Sequence, residues 1–136
     1  MARRPKALVL DSWSIIAYLE DEPAGQKVAD LIAEAHENST ALMMTVVNAG
    51  EVWYLIAREA SIEDADQSIA QLRGLGIELV EAGWKLTREA AGFKAKHKMS
   101  YADCFAAALA KDHKADLVTG DREFKQVEEE VEVWWV

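Results

Sequence analysis

Four short apolar runs, at residues 6–10, 41–45, 77–80 and 115–119, are separated by segments of helical length and periodicity, and no other feature restricts the chain as much. Strands joined through helices cannot form tight hairpins. They pair in parallel through right-handed crossovers, which leave helices on both faces of the sheet. Residues 131–136, with Val and Trp in weak alternation, suit a last, edge-like strand. The expectation is an α/β fold in three layers, with a central, mostly parallel sheet of four to five strands. At 136 residues the chain is long enough for one domain with a real core and too short for two ordinary ones, so 1–136 is read as a single domain.

The punctuation between the runs agrees. Asp11-Ser12 ends the first run in a helix-capping pair, and 14–19 reads as helix. Pro23 suits the first turn of a second helix through Val28, Leu31 and Ile32 to about Ala35, with 36–39 as a loop. From 46 to 58, Val47, Trp53, Tyr54 and Ile56 have the spacing of a mostly buried helix. Ser61 opens a helix that turns Ile69 and Leu72 inward and closes at Gly74. Residues 84–96 read as a basic helix and 100–111 as an Ala-rich one. Trp13, bulky beside the end of the first run, is expected to pack beneath the first helix.

Composition excludes several classes. Hydrophobic residues make up 51% and charged residues 29%, which is the profile of a folded chain rather than a disordered or fibrous one. The longest apolar runs are far too short to span a bilayer and the N-terminal residues lack signal-peptide zoning, so a cytoplasmic protein without membrane contact is expected. Cys104 is the single cysteine, which excludes an internal disulfide and suits a small buried side chain. His36, His97 and His113 are far apart in sequence and in polar surroundings, so surface positions are expected and zinc is not indicated. Phosphate-cradling, serine-nucleophile and zinc-protease motifs are absent, and Gly74-Leu75-Gly76 follows a helix rather than a strand.

The net charge of −9 runs against phosphate binding unless charge is segregated. It is segregated: residues 85–98 hold five bases and one acid, a net +4, which leaves −13 on the remainder. By itself that stretch is an ordinary solvated helix face.

The acids carry the chemistry. In an open parallel sheet, ligands bind beyond the carboxyl ends of the strands, where loops and helix N-termini gather. Asp11 follows the first strand, Glu51 lies in the first two turns of the helix after the second, Asp103 in the first turn of the Ala-rich helix, and Asp121 just beyond the fourth strand. Each has an ordinary explanation: Asp11 as an N-cap, Asn48 to Glu51 and Ser100 to Asp103 as capping boxes, Gly120-Asp121 as a turn. Jointly they make an all-oxygen cluster at one edge whose mutual repulsion calls for a hard divalent cation, Mg²⁺ or Mn²⁺.

The order and spacing of four segments resemble the PIN-domain ribonucleases, and within them the VapC-type toxins of toxin–antitoxin pairs. The segments are the opening strand with Asp11-Ser12, TVVNAGE at 45–51, SYADCFAAALA at 100–110 and TGDREF at 119–124. The resemblance spans nearly the whole chain. It implies a PIN-like fold and Asp11, Glu51, Asp103 and Asp121 as catalytic, metal-holding acids for one or two Mg²⁺ or Mn²⁺ ions. It implies Ser12, Asn48 and Thr119 as supporting polar groups. Asn48 either holds Glu51 or caps its helix, Arg122 either touches phosphate or balances the acids beside it, and Glu123 is a turn residue that can supplement the metal shell. The activity implied is endoribonucleolytic hydrolysis of RNA, with a homodimer and a basic antitoxin as partners. Two alternatives stand beside it. A metal-dependent phosphatase using Asp11 as nucleophile would want a second nearby aspartate, which Asp11-Ser12-Trp13 lacks; an RNA- or protein-binding module would keep the fold without turnover.

Overall fold

The computed structural model describes residues 5–136. Five strands form one sheet: β1 Ala7–Leu10, β2 Ala41–Thr45, β3 Ile77–Val80, β4 Asp116–Thr119 and β5 Val133–Trp135. Their order is β3-β2-β1-β4-β5 and every pairing is parallel, so the sheet is wholly rather than mostly parallel. Helices α1 Ser12–Leu19 and α2 Pro23–Asn38 connect β1 to β2, and α3 Val46–Glu59 and α4 Ile62–Gly74 connect β2 to β3. Helices α5 Trp84–Lys96 and α6 Tyr101–His113 then carry the chain across the sheet to β4, and a 3₁₀ helix at Arg122–Val127 leads to the edge strand β5.

Alternation along the strands builds two cores. Ala7, Val9, Met43 and Leu117 point to one face, where they pack with Leu86, Phe93, Phe105 and Val127 under α5, α6 and the 3₁₀ helix. Leu8, Leu10, Leu42, Met44 and Val118 point to the other, against Ile15, Val28, Ile32, Val52 and Leu72 of α1 to α4. These are the expected three layers. Buried on both faces, the strands read as apolar runs without visible alternation. The Ala-rich α6 is buried along its length from Cys104 to Ala110 because the sheet lies on one side of it and α5 and α3 on others. Small side chains permit that close approach, and Cys104 is free and buried as expected.

Three local expectations change. The loop at 36–39 is helix as far as Asn38, because nothing there breaks it until Ser39 takes a left-handed conformation at φ 56°. In α3 the buried residues are Asn48, Ala49 and Val52, while Tyr54 is exposed and Val47, Trp53 and Ile56 are half-buried. The polar Asn48 defines the inward face there, which hydrophobic spacing cannot reveal. Gly74 ends α4, but the positive φ of 82° falls on Gly76, where a residue without Cβ is required.

The strand order has one functional consequence. The chain adds β2 and β3 on one side of β1, then returns to place β4 on the other, so the direction of winding reverses between β1 and β4. A crevice opens there beyond the strands' carboxyl ends.

Candidate active site

Asp11 and Thr119 sit at the mouth of that crevice, one residue past β1 and at the last position of β4. Asp11 has no exposed surface. Its Oδ1 accepts a hydrogen bond from the Ser14 backbone N–H at 2.8 Å, which caps α1, and its Oδ2 accepts from Thr119 Oγ1 at 2.5 Å. The capping explanation is thus correct for Asp11 but incomplete, since Thr119 ties the same carboxyl across 108 residues of sequence. Thr119 Oγ1 also accepts from the Asp121 N–H at 3.0 Å, and Asp121 Oδ1 in turn accepts from the Glu123 N–H at 3.0 Å.

A second buried network joins three helix starts. Thr45 Oγ1 caps α3 by accepting from the Asn48 N–H at 3.0 Å and donates to Asn48 Oδ1 at 2.6 Å. The Asn48 amide nitrogen donates to Ala102 O at 3.1 Å in the first turn of α6 and, at 3.4 Å, to Ser12 Oγ, which itself donates to Asn48 O at 3.2 Å. Asn48 therefore neither caps its helix nor holds Glu51, and the capping box read from Asn48 to Glu51 is corrected. Its cap is Thr45, and Asn48 fixes α1, α3 and α6 relative to one another. The Thr-x-x-Asn spacing before a helix was the sequence signal for this pair.

The networks place Glu51, Asp103 and Asp121 around one groove of about 420 Å³, lined also by Ser12, Ser100 and Glu123, with Trp13, Ile16 and Leu55 as its apolar part. Asp11 lies immediately behind them. Ser100 caps α6, accepting from the Asp103 N–H at 3.1 Å. Trp13 is not beneath the first helix: it lines the groove and is 38% exposed, because α1 turns Ser14 and Ile15 inward instead. Arg122 opens on a different groove, so it does not balance the acids from within theirs.

Charge in the groove is under-compensated. Burial raises the Asp11 carboxyl from 3.8 to about 6, against the lowering effect of its hydrogen bonds from Thr119 and Ser14. Asp103 rises from 3.8 to about 7, first through burial and then through the neighbouring charges of Asp121, Asp11 and Glu51. These four groups therefore share one electrostatic environment. Among the described residues, no three His, Cys, Asp or Glu side chains stand close enough to form a ready-made cage. The donor chemistry nevertheless fits a hard divalent cation: oxygen atoms only, excess negative charge, and two carboxyls raised toward neutral pH by burial and, at Asp103, by the neighbouring carboxylates as well.

No histidine approaches the groove. His36 Nε2 lies 2.6 Å from Leu75 O and His113 is exposed, as expected. His97 departs from the surface expectation: it is half-buried against Phe93, its Nε2 enclosed and 3.8 Å from Glu130. The bases of residues 85–98 lie elsewhere too. Arg88 and Lys96 line a separate cavity with Lys111 and Glu130, Lys85 pairs with Asp112, and Lys94 donates to Met99 O.

A family model described as PIN domain matches residues 8–130. No curated protein matches the sequence. Among solved structures, the fold is similar to VapBC2 from Rickettsia felis bound to a promoter DNA fragment, with a TM-score of 0.78, 14% identity, and coverage of 94% of this chain and 97% of that one. It is similar to VapC20 of Mycobacterium tuberculosis, a sarcin–ricin loop cleaving toxin, with a TM-score of 0.71, 18% identity and coverage of 89% and 95%. VapBC-1 from nontypeable Haemophilus influenzae gives a TM-score of 0.72, 17% identity and coverage of 95% and 97%. No helix among the described residues is long and apolar enough to cross a membrane.

Proposed function

The chain belongs to the PIN domain family, and from that premise we propose that it is a divalent-metal-dependent endoribonuclease, the toxin of a toxin–antitoxin pair. The observation that carries the reading is Asp103, pushed up to about 7 beside Asp11, Asp121 and Glu51 at the point where the winding of the sheet reverses. Carboxylates that burial and repulsion hold this far from their ordinary range are poised for function more often than for stability.

Asp11, Asp103, Asp121 and Glu51 would hold one or two Mg²⁺ or Mn²⁺ ions. When bound, such an ion neutralises phosphate charge and lowers the pKa of water at the reacting phosphorus. The remaining work belongs to the chain. Thr119 orients Asp11 and, by accepting the Asp121 N–H, sets the direction in which Asp121 leaves β4. Asn48 and Ser12 hold the starts of α3 and α6, so that Glu51 and Asp103 face the same groove. Ile16 and Leu55 supply the apolar part of its lining beside Trp13. A divalent ion held by Asp103 would stabilise its ionised form and so release the proton that burial and the neighbouring carboxylates favour.

The toxin reading is supported by likeness in fold to VapC and VapBC proteins. It brings a homodimer and an antitoxin that is basic where it meets the acids. The test is cleavage of a mixed, structured RNA pool by purified protein in Mg²⁺ or Mn²⁺. EDTA, or Asp103→Asn with an unchanged far-UV spectrum, is expected to abolish cleavage; cleavage that survives both would remove the metal-carboxylate reading.

A further inference from the structure

The segment after β4 divides its residues between two grooves. Asp121 and Glu123 line the acidic groove, whereas Gly120 and Arg122 open on a second groove of about 400 Å³ that also holds Lys125 and Trp135. Trp13 forms the wall between them. It lines the acidic groove, and its ring lies so close over Gly120 that a Cβ there would fall 2.2–2.7 Å from three ring carbons. Glycine at 120 is thus what allows the indole to lie down on the strand end, with over a third of the residue still open to solvent.

The second groove differs in charge from the first. Neither Arg122 nor Lys125 has an ion-pair partner among the described residues, and the groove's acid, Glu128, accepts a hydrogen bond from Trp135 Nε1 at 3.4 Å. Acidic groove, exposed indole and unpaired cations therefore follow one another along a single surface path. That sequence complements a nucleic-acid strand: a phosphate at a metal-holding site, a base on an aromatic face, a further phosphate on basic side chains.

We propose that Trp13 is a stacking platform for the nucleobase next to the cleaved phosphate, and that the Arg122 and Lys125 groove takes the neighbouring phosphate of single-stranded RNA. The inference rests on the ribonuclease reading and adds the path of the substrate to it. The strand must be single because a base has to leave its own stack to lie on the indole. Trp13 is here a substrate-binding residue, not a metal ligand, so its loss acts on KM rather than kcat.

Two measurements test this together. Cleavage of polyuridylate and polyadenylate in Mn²⁺ is compared among the wild type, Trp13→Phe, Trp13→Leu and the Arg122→Gln/Lys125→Gln double variant. Tryptophan fluorescence is followed while the same polymers are titrated onto cleavage-deficient Asp103→Asn protein, with and without Trp13→Phe. The expected results are a KM raised about 5- to 100-fold by Trp13→Leu with kcat little changed, and most of the affinity kept by Trp13→Phe. Quenching should be diminished by Trp13→Phe, with Trp135 in the second groove left to report any remainder, and the double variant should flatten the salt dependence of binding by about two counterions. An unchanged KM in Trp13→Leu, or undiminished quenching in Asp103→Asn/Trp13→Phe, overturns the platform and leaves the nuclease standing. Quenching through Trp13 by a polymer that wild type never cleaves supports the platform and overturns the nuclease; neither quenching nor cleavage overturns both.

Discussion

Asp11 accepts hydrogen bonds through both carboxyl oxygens and has no exposed surface, yet its carboxyl is held at about 6. The hydrogen bonds from Thr119 and Ser14 do not compensate for the water it has lost, which leaves the ionised form disfavoured by roughly 3 kcal/mol. Thr119 is the most exposed of these arrangements to test, since one hydroxyl serves Asp11 and Asp121 at once. Thr119→Val keeps the shape and removes the hydroxyl. It is expected to cost roughly 2–3 kcal/mol of stability and to depress RNA cleavage at least tenfold, read by urea denaturation and initial rates. Full activity in that variant would show that Asp11 needs no orientation. The acids were legible in sequence because each lies just past a strand end or within the first two turns of a helix. The Thr45 cap had a signal in its spacing to Asn48, but the orientation of Asn48 had none, since hydrogen bonds that join residues 48, 12 and 102 have no sequence spacing.

Elements meet through small residues, and two glycines show how far context decides the outcome. A Cβ on Gly25 would stand 2.3 Å from the Ala17 carbonyl oxygen, so α1 and α2 touch backbone to backbone at that point. Gly50, on the exposed side of α3, has nothing within 4 Å. Gly25→Ala must push the helices apart and is expected to destabilise by about 1–3 kcal/mol, because a backbone atom cannot move aside as a side chain can. Gly50→Ala should instead stabilise by roughly 0.5–1 kcal/mol through lower entropy of the unfolded chain. Urea midpoints of the two variants compare them directly, and a common sign would contradict the packing described. Helix limits were mostly readable from caps and breakers. The inward face of α3 was misread because its burial is organised around a polar residue.

For the molecule as a whole, the acidic groove lowers stability at neutral pH. Asp11 and Asp103 bind protons more tightly folded than unfolded, so the stability they contribute is present below about pH 4. It is lost as pH rises through about 6 for Asp11 and about 7 for Asp103. A divalent ion held as proposed would reverse that loss by stabilising the ionised forms. The difference in Tm between Mn²⁺ and EDTA is therefore expected to widen from about pH 5 to about pH 8. Asp103→Asn should raise Tm in EDTA at the upper pH while abolishing the Mn²⁺ response. A Tm gap independent of pH would mean that the ion binds elsewhere. At the same scale, purification from the native host is expected to recover a small protein partner that blocks the groove, and displacement of that partner should release RNA cleavage.

Alternation of apolar runs with helical segments determined the α/β class, and the residues at the strand ends determined which acids to suspect, because both depend on neighbours in sequence. The order β3-β2-β1-β4-β5 was decided only in three dimensions, by which crossovers bury both faces of the sheet. That order alone brings residue 119 to residue 11 and lays Trp13 on Gly120. A one-dimensional pattern records what each residue prefers; the depth of Asp11, the charge felt by Asp103 and the open face of Trp13 arise from what the fold sets beside them.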